Sequence, residues 1–293
     1  MAPRSLLCLR NSDLILILSF LDIKSIKLAQ ATCHELEFWG RHVVNERYDR
    51  ILLRYISSPD AFRRLLDSKR AIIGGSSALE FFLGDVDWVS NDLDVFLRPS
   101  YLPDFLDFFH EEGYKRVFPW QEDVLPARQI PCVEASLKLR KGKRTVDLMI
   151  TSFGNAFEGI VHSWSTLLVN AMSGSNAVCA YPHLTMNHTA VLSTPKTIAL
   201  RHLPYAGDTS KYEARSFTFS LPPAQQSPAT PLIARYIPDK HCLFLRFYPR
   251  QRREDNRPFT ARWLSDHEHV AMSAVWYDDE QVLWYRPHLL NAN

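Results

Sequence analysis

The sequence predicts an α+β protein: a mixed sheet with flanking helices, preceded by an all-helical segment and followed by a helical and then a β-prone C-terminal region. Three observations carry this expectation. Apolar residues recur on a helical period through about the first seventy residues. From Ala71 onward, short β-rich runs alternate with helical ones. Those runs are punctuated by Gly74-Gly75-Ser76-Ser77, by Asp92-Leu93-Asp94 and by Lys141-Gly142-Lys143.

Taken in order, residues 1–69 read as successive helices, with polar breaks near Ser12 and Asp22 that suit N-caps. Ser57-Ser58-Pro59-Asp60 opens a further short helix through Phe62, Leu65 and Leu66. In 70–152 we expect strands at 71–73, 93–97, 133–140 and 144–150, and helices at 76–83 and 102–112. The Lys141-Gly142-Lys143 connection has the length and glycine of a hairpin, which makes the last strand an antiparallel return. Residues 153–204 read as a helical extension, on the spacing of Phe157, Ile160, Val161, Trp164, Leu167 and Leu168 and on a Thr194-Pro195 helix start. In 205–293 a linker rich in proline (Pro222, Pro223, Pro228, Pro231) precedes β-prone segments around 243–248 and 275–285.

The chain of 293 residues is long enough for a sizeable core, and 46% hydrophobic with 23% charged residues reads as an ordinary soluble globular protein. A formal net charge of +2 neither demands nor excludes nucleic acid as a partner. Cys8, Cys33, Cys132, Cys179 and Cys242 form no C-x-x-C pair and are odd in number. Reduced thiols in an intracellular protein, cytoplasmic or nuclear, follow from that pattern. The apolar run 14–21 is too short to span a membrane and lacks a basic head, so no membrane association is expected.

The chemistry sits on three aspartates. Alternation along a strand sends Asp92 and Asp94 to one face while Leu93 and Val95 go to the other. Adjacent carboxylates repel unless a cation lies between them, and hard divalent metals take carboxylate oxygens and bridge to phosphates. A helix opening on small residues supplies anion-binding N–H groups. Singly, a Gly-Gly-Ser turn or an Asp-x-Asp is common by chance. In this order, a strand, a Gly-Gly-Ser turn, a helix, an Asp-x-Asp strand and a strand with Asp147 in Thr145-Val146-Asp147-Leu148-Met149 together resemble the nucleotidyltransferase superfamily, the polymerase-beta-like fold. That resemblance implies that Gly74, Gly75, Ser76 and Ser77 carry the triphosphate-holding turn. It also implies that Asp92, Asp94 and Asp147 are the catalytic metal ligands, with Mg2+ or Mn2+ as cofactor and a nucleoside triphosphate as substrate. Asp147 would lie nearest the attacking hydroxyl and serve as its general base. One departure from the pattern is the 17 positions from Gly75 to Asp92 (92 minus 75), with Asp85-Val86-Asp87-Trp88 filling the extra length as a loop.

Residues 10–45 resemble an F-box, on Ile17-Leu18-Ser19-Phe20-Leu21-Asp22 and the sequel Ile26, Leu28, Ala29, Ala31, Cys33 and Leu36. The resemblance implies docking to a ubiquitin-ligase adaptor, which would leave several of Leu16, Phe20, Leu21 and Leu28 exposed. The usual Leu-Pro-x-Glu opening is replaced here by Leu9-Arg10-Asn11-Ser12. The alternative is that these helices pack on the following domain. With Ala61-Phe62-Arg63 leading into Ile73-Gly74-Gly75-Ser76-Ser77-Ala78-Leu79-Glu80-Phe81-Phe82, then the Asp-x-Asp strand, Gly113-Tyr114, His162-Ser163 up to Asn170 and Ala177 to Tyr181-Pro182, the arrangement over roughly residues 10–200 also resembles a family of fungal proteins that has no settled substrate.

Other clusters read more plainly. Arg140-Lys141-Gly142-Lys143-Arg144 suits a solvated turn or a phosphate contact. Arg246, Arg250, Arg252 and Arg253 with Phe247 and Tyr248 could stack bases, although Glu254-Asp255 blunts the charge. His267-Glu268-His269 lacks a third ligand nearby, and His162-Ser163 lacks an acidic orienter.

Overall fold

The computed structural model describes residues 9–117, 133–151, 155–161, 163–192, 206–220, 233–236, 241–247, 261–266, 270–278 and 281–283. Four helices lead: α1 (Asn11–Phe20), α2 (Ile23–Gln30), α3 (His34–Leu52) and α4 (Pro59–Ser68). Asp22 caps α2 by accepting the Ser25 N–H at 2.7 Å, and Ser58 caps α4 with Pro59 in its first turn. Ser12, expected as a cap, lies inside α1 instead; the N-cap position is Arg10, whose guanidinium pairs with Asp13 at 3.0 Å.

The main sheet follows. Its strands are β1 (Ile72–Ile73), β2 (Asp92–Leu97), β3 (Lys115–Arg116), β4 (Val133–Lys141), β5 (Arg144–Thr151), β6 (Asn170–Met172), β7 (Asn176–Cys179) and β11 (Leu243–Arg246). Their spatial order is β11-β7-β6-β1-β2-β5-β4-β3. Every pairing in it is antiparallel except β2 with β5. The connecting helices are α5 (Gly75–Leu83) and α6 (Leu102–Glu111). Lys141 pairs with Arg144 across the β4–β5 turn, and Gly142 at φ 60 takes the first central position, where a II′ hairpin demands glycine.

Parity decides the two faces of this sheet. Leu93, Val95, Leu97, Val146, Leu148, Leu137 and Leu139 point into one buried cluster with Leu18, Ile26, Val44, Tyr48, Phe62, Phe81 and Phe105. The first four helices therefore share a core with the sheet. Residues of opposite parity, such as Phe96, face a second cluster with Phe157 and Ile160. Asp92, Asp94 and Asp147 share that parity.

Residues 155–173 do not form the expected helix. They make a short α7 (Glu158–Val161), a 3-10 turn (Thr166–Leu168) and then β6, whose partner β7 is buried along its whole length. The open edge of β1 competes for this chain, and β6 pairs there at Ile73↔Met172. Further on lie α8 (Pro182–Met186), the parallel pair β8 (Thr189–Val191) and β9 (Thr218–Ser220), and a helix Ala206–Glu213 at the start of the region read from sequence as β-prone with a proline-rich linker. The β-prone tail does form strands. Besides β11, β10 (Ile233–Tyr236), β12 (Ala261–Asp266), β13 (Val270–Asp278) and β14 (Gln281–Leu283) make a separate antiparallel sheet in the order β10-β12-β13-β14. The helix expected at 194–203, the proline-rich 222–231 stretch, His162, Arg250, Arg252, Arg253 and His267-Glu268-His269 lie outside the described residues.

Candidate metal and phosphate site

β2 and β5 run parallel with Asp94 directly opposite Asp147 and Asp92 opposite Thr145. Residues in register share a face, so all three carboxyl groups meet on the side away from the helical layer. One oxygen from each lies within 4.8 Å of the others. This is the spacing at which one cation can contact all three.

Each aspartate is held by a different device. The Asp92 carbonyl receives Ser77 Oγ at 3.0 Å and Ser90 Oγ at 2.7 Å, and the Tyr55 hydroxyl lies 3.0 Å away while donating to the Ser90 carbonyl at 2.7 Å. Asp94 receives the Gly74 N–H on its carbonyl at 3.0 Å, which ties β2 to the Gly-Gly turn. Its carboxylate lies against Gly75. A Cβ there would stand 1.8 Å from Asp94 Oδ2, and the φ of +60° also disfavours any side chain. Asp147 has Lys138 beside it across the β4–β5 ladder, with Nζ 3.8 Å from Oδ2.

The electrostatics are those of an unsatisfied anion cluster. Burial, and then the charges of Asp92 and Asp147, push Asp94 well above the usual carboxylate range, against the pull of Lys211 and Lys138. Burial raises Asp147 to about 6, with Lys138 opposing and Asp92 adding to the rise. Among the described residues, Asp147 Oδ1 is buried with no hydrogen-bond partner. A buried carboxylate oxygen without a donor costs free energy unless something else binds it. Three hard oxygen donors and one orphaned oxygen fit a divalent cation.

Gly74 and Gly75 do open α5 beside the carboxylates. The hydroxyls face inward: Ser77 is committed to Asp92, and Ser76 lies 3.1 Å from both the Tyr212 hydroxyl and Arg215 Nη1. What remains for an anion is the first-turn backbone of α5, whose N–H groups have no intrahelical acceptor.

Sequence reading missed Lys211, Tyr212 and Arg215. They come from Ala206–Glu213 and the turn that ends it, far from the motif residues in sequence. Tyr212 is buried against Trp164 and Phe217, and Arg215 lies over the Trp88 ring. A cation, an aromatic and a second cation at i, i+1 and i+4 were the available signal.

The remaining clusters contribute little to the site. Lys141 Nζ bonds the Glu112 carbonyl, so part of the basic hairpin is tied to the end of α6. Ser163 is buried and Arg246 ends the edge strand β11. Among the described residues, Cys33, Cys179 and Cys242 form no disulfide. No helix among the described residues is long and apolar enough to cross a membrane.

Fold and site together describe an α+β protein with a carboxylate cluster set beside a Gly-Gly turn. Set against protein-family models, curated proteins and solved structures, the chain matches none.

Proposed function

We propose that this chain is a metal-dependent nucleotidyltransferase that moves a nucleotidyl group from a nucleoside triphosphate to a hydroxyl of an acceptor. The observation that carries the reading is the meeting of Asp92, Asp94 and Asp147 within 4.8 Å, next to the N-terminal turn of α5. Asp92, Asp94 and Asp147 would hold Mg2+ or Mn2+, which when bound supplies charge neutralisation for the triphosphate. The α5 N-terminus would bind and orient the phosphates, so that the acceptor oxygen and the pyrophosphate leaving group lie in line. Asp147, whose pKa burial raises to about 6, would take the proton of the acceptor hydroxyl. Calorimetry with Mn2+ and each of the four ribonucleoside triphosphates tests this reading. Metal-dependent nucleotide binding is expected in the wild type, with a loss of at least about 100-fold in Asp94→Asn, on the scale of a lost charged contact. A wild type that binds no nucleotide in the presence of metal sinks the reading.

A second reading is favoured by one observation on the N-terminal helices. Leu16, Phe20 and Leu28 are 56%, 59% and 63% exposed, whereas Leu21 is partly buried. Such an apolar surface supports an F-box-type receptor that docks a ubiquitin-ligase adaptor, with the transferase-like domain as binding scaffold. Titration of the purified adaptor onto the full chain decides it. Binding that Phe20→Ala weakens is expected, and no binding to wild type removes the reading.

A further inference from the structure

Among the described residues, the guanidinium of Arg215 has most of its hydrogen-bonding capacity unused. It is half-buried, and it donates from Nη1 to Ser76 Oγ at 3.1 Å, beside the first turn of α5, the positive end of that helix. Among the described residues no carboxylate forms an ion pair with it. An arginine offers five N–H donors, and a single hydroxyl uses one. Burial lowers its pKa, the sign of a cation held against its solvation cost.

Two devices nevertheless fix its position. The backbone after Ala206–Glu213 closes with the Ser216 N–H on the Glu213 carbonyl at 2.9 Å and the Phe217 N–H on the Tyr212 carbonyl at 3.0 Å, with Ser216 at φ 66. That is a Schellman cap, and it places Arg215 at the C-cap position, just past the helix end. The side chain is then held against Trp88, with the guanidinium carbon 3.9 Å from the ring centroid. Trp88 belongs to the loop between α5 and β2, the same extra length by which the Gly75 to Asp92 interval departs from the family pattern. A loop that looked like a tolerated insertion therefore supplies a wall of the site.

We propose that Arg215 binds the triphosphate of the incoming nucleotide and that Trp88 is its positioning residue, with Lys211 as an outer cation on the same helix. The assignment rests on the nucleotidyl-transfer reading for the identity of the anion. Its electrostatic logic is a division of charge: carboxylates gather on β2 and β5, while Arg215 and Lys211 lie close enough to pull on Asp92 and Asp94. A ligand that carries a metal cation and a polyanion together satisfies both sides at once.

Tripolyphosphate, which has the phosphates without base or sugar, is the probe, titrated by calorimetry onto the full-length protein with Mn2+ binding measured in parallel. Wild type is expected to bind it. Arg215→Ala should weaken binding about 10-fold to 100-fold, the range for lost charged hydrogen bonds, while Mn2+ affinity stays within about 2-fold. Trp88→Ala should weaken it about 5-fold, and Trp88→Phe should restore most of that loss by keeping an aromatic face. Arg215→Lys, which retains the charge without the fork, should fall between and serves if the alanine variant fails to fold. Tripolyphosphate binding that depends on Arg215 without Mn2+ binding would remove the transferase reading and leave the anion contact standing. Absence of tripolyphosphate binding to wild type, or wild-type affinity in both Arg215 variants, overturns the proposal.

Discussion

Arg47 and Asp147 are both charged side chains drawn out of water, and the fold supports them in opposite ways. Arg47, 3% exposed on α3, sends its terminal nitrogens to the carbonyls of Leu21 at 2.7 Å, Ser19 at 3.0 Å and Phe81 at 3.3 Å. Those carbonyls end α1 and the last turn of α5, where unpaired acceptors and the negative pole of a helix favour a cation. Its Nε alone lacks a partner. Asp147, with 15% of its side chain exposed, has one oxygen without any donor and the other 3.8 Å from Lys138, beyond hydrogen-bond length. The cation joins elements and is nearly satisfied, whereas the anion is rigidly held and left wanting. The difference separates a charge whose partners are in place from a carboxylate that could still take a metal ion.

The largest expected effect falls on the satisfied side of that contrast. Arg47→Ala strands three carbonyls at the seam between the N-terminal helices and α5, and should cost about 4 kcal/mol in urea unfolding at pH 7.5. A loss under about 1 kcal/mol would mean that water takes over its role and that the contrast with Asp147 is false.

Removing the unsatisfied charge should act in the other direction. The Asp147 pKa is about 6 in the folded protein and 3.8 in the ordinary carboxylate, so the native state holds this proton more tightly than the unfolded chain does. Stability therefore rises as pH falls through 6, levelling off near 4. Between pH 8 and pH 5 the gain from this group is about 1.4 kcal/mol in chelator-treated protein. Asp147→Asn should be more stable than wild type at pH 8, and the difference between the two should shrink by that amount at pH 5. Thermal melts at a series of pH values check it, and a pH-independent difference would contradict it.

The smallest effect sharpens the same picture. Lys138 is 45% exposed, and its attraction for Asp147 is that of a screened surface charge. Lys138→Met should move the midpoint of the Asp147 stability titration upward by about half a pH unit, on the scale of such pairs. A much larger shift would make Lys138 a true partner of the carboxylate rather than a neighbour.

The carboxylates and the Gly-Gly turn were legible in the sequence because each is a local pattern. Asp92 and Asp94 alternate along one strand, Gly74 and Gly75 mark a turn that opens a helix on small residues, and the Lys141-Gly142-Lys143 turn puts Asp147 on a return strand. The parallel neighbour of that strand was not legible, since register between β2 and β5 is a tertiary choice. Residues 155–173 misled for a similar reason. Their apolar spacing suits a helix, yet β1 offers an edge that Asn170–Met172 can pair with, and polar Ser163, Ser165 and Ser173 do not favour continuous helix. Lys211, Tyr212 and Arg215 escaped because nothing near them in sequence predicts Ser76 or Trp88 as neighbours. Their contacts are made 136 and 139 residues away, Tyr212 and Arg215 with Ser76.

The single parallel pairing in the sheet has a kinetic side. The β4–β5 hairpin closes across two residues, but Asp94 meets Asp147 only after a separation of 53 positions (147 minus 94) is bridged. Loops of that length close late compared with hairpins, so the chain first folds pieces in which the aspartates are strangers. Their mutual repulsion enters only when β2 docks on β5. Substitutions that relieve it should then slow unfolding more than they speed folding, since in the metal-free protein the repulsion raises the native state but not the transition state before it and so hastens unfolding.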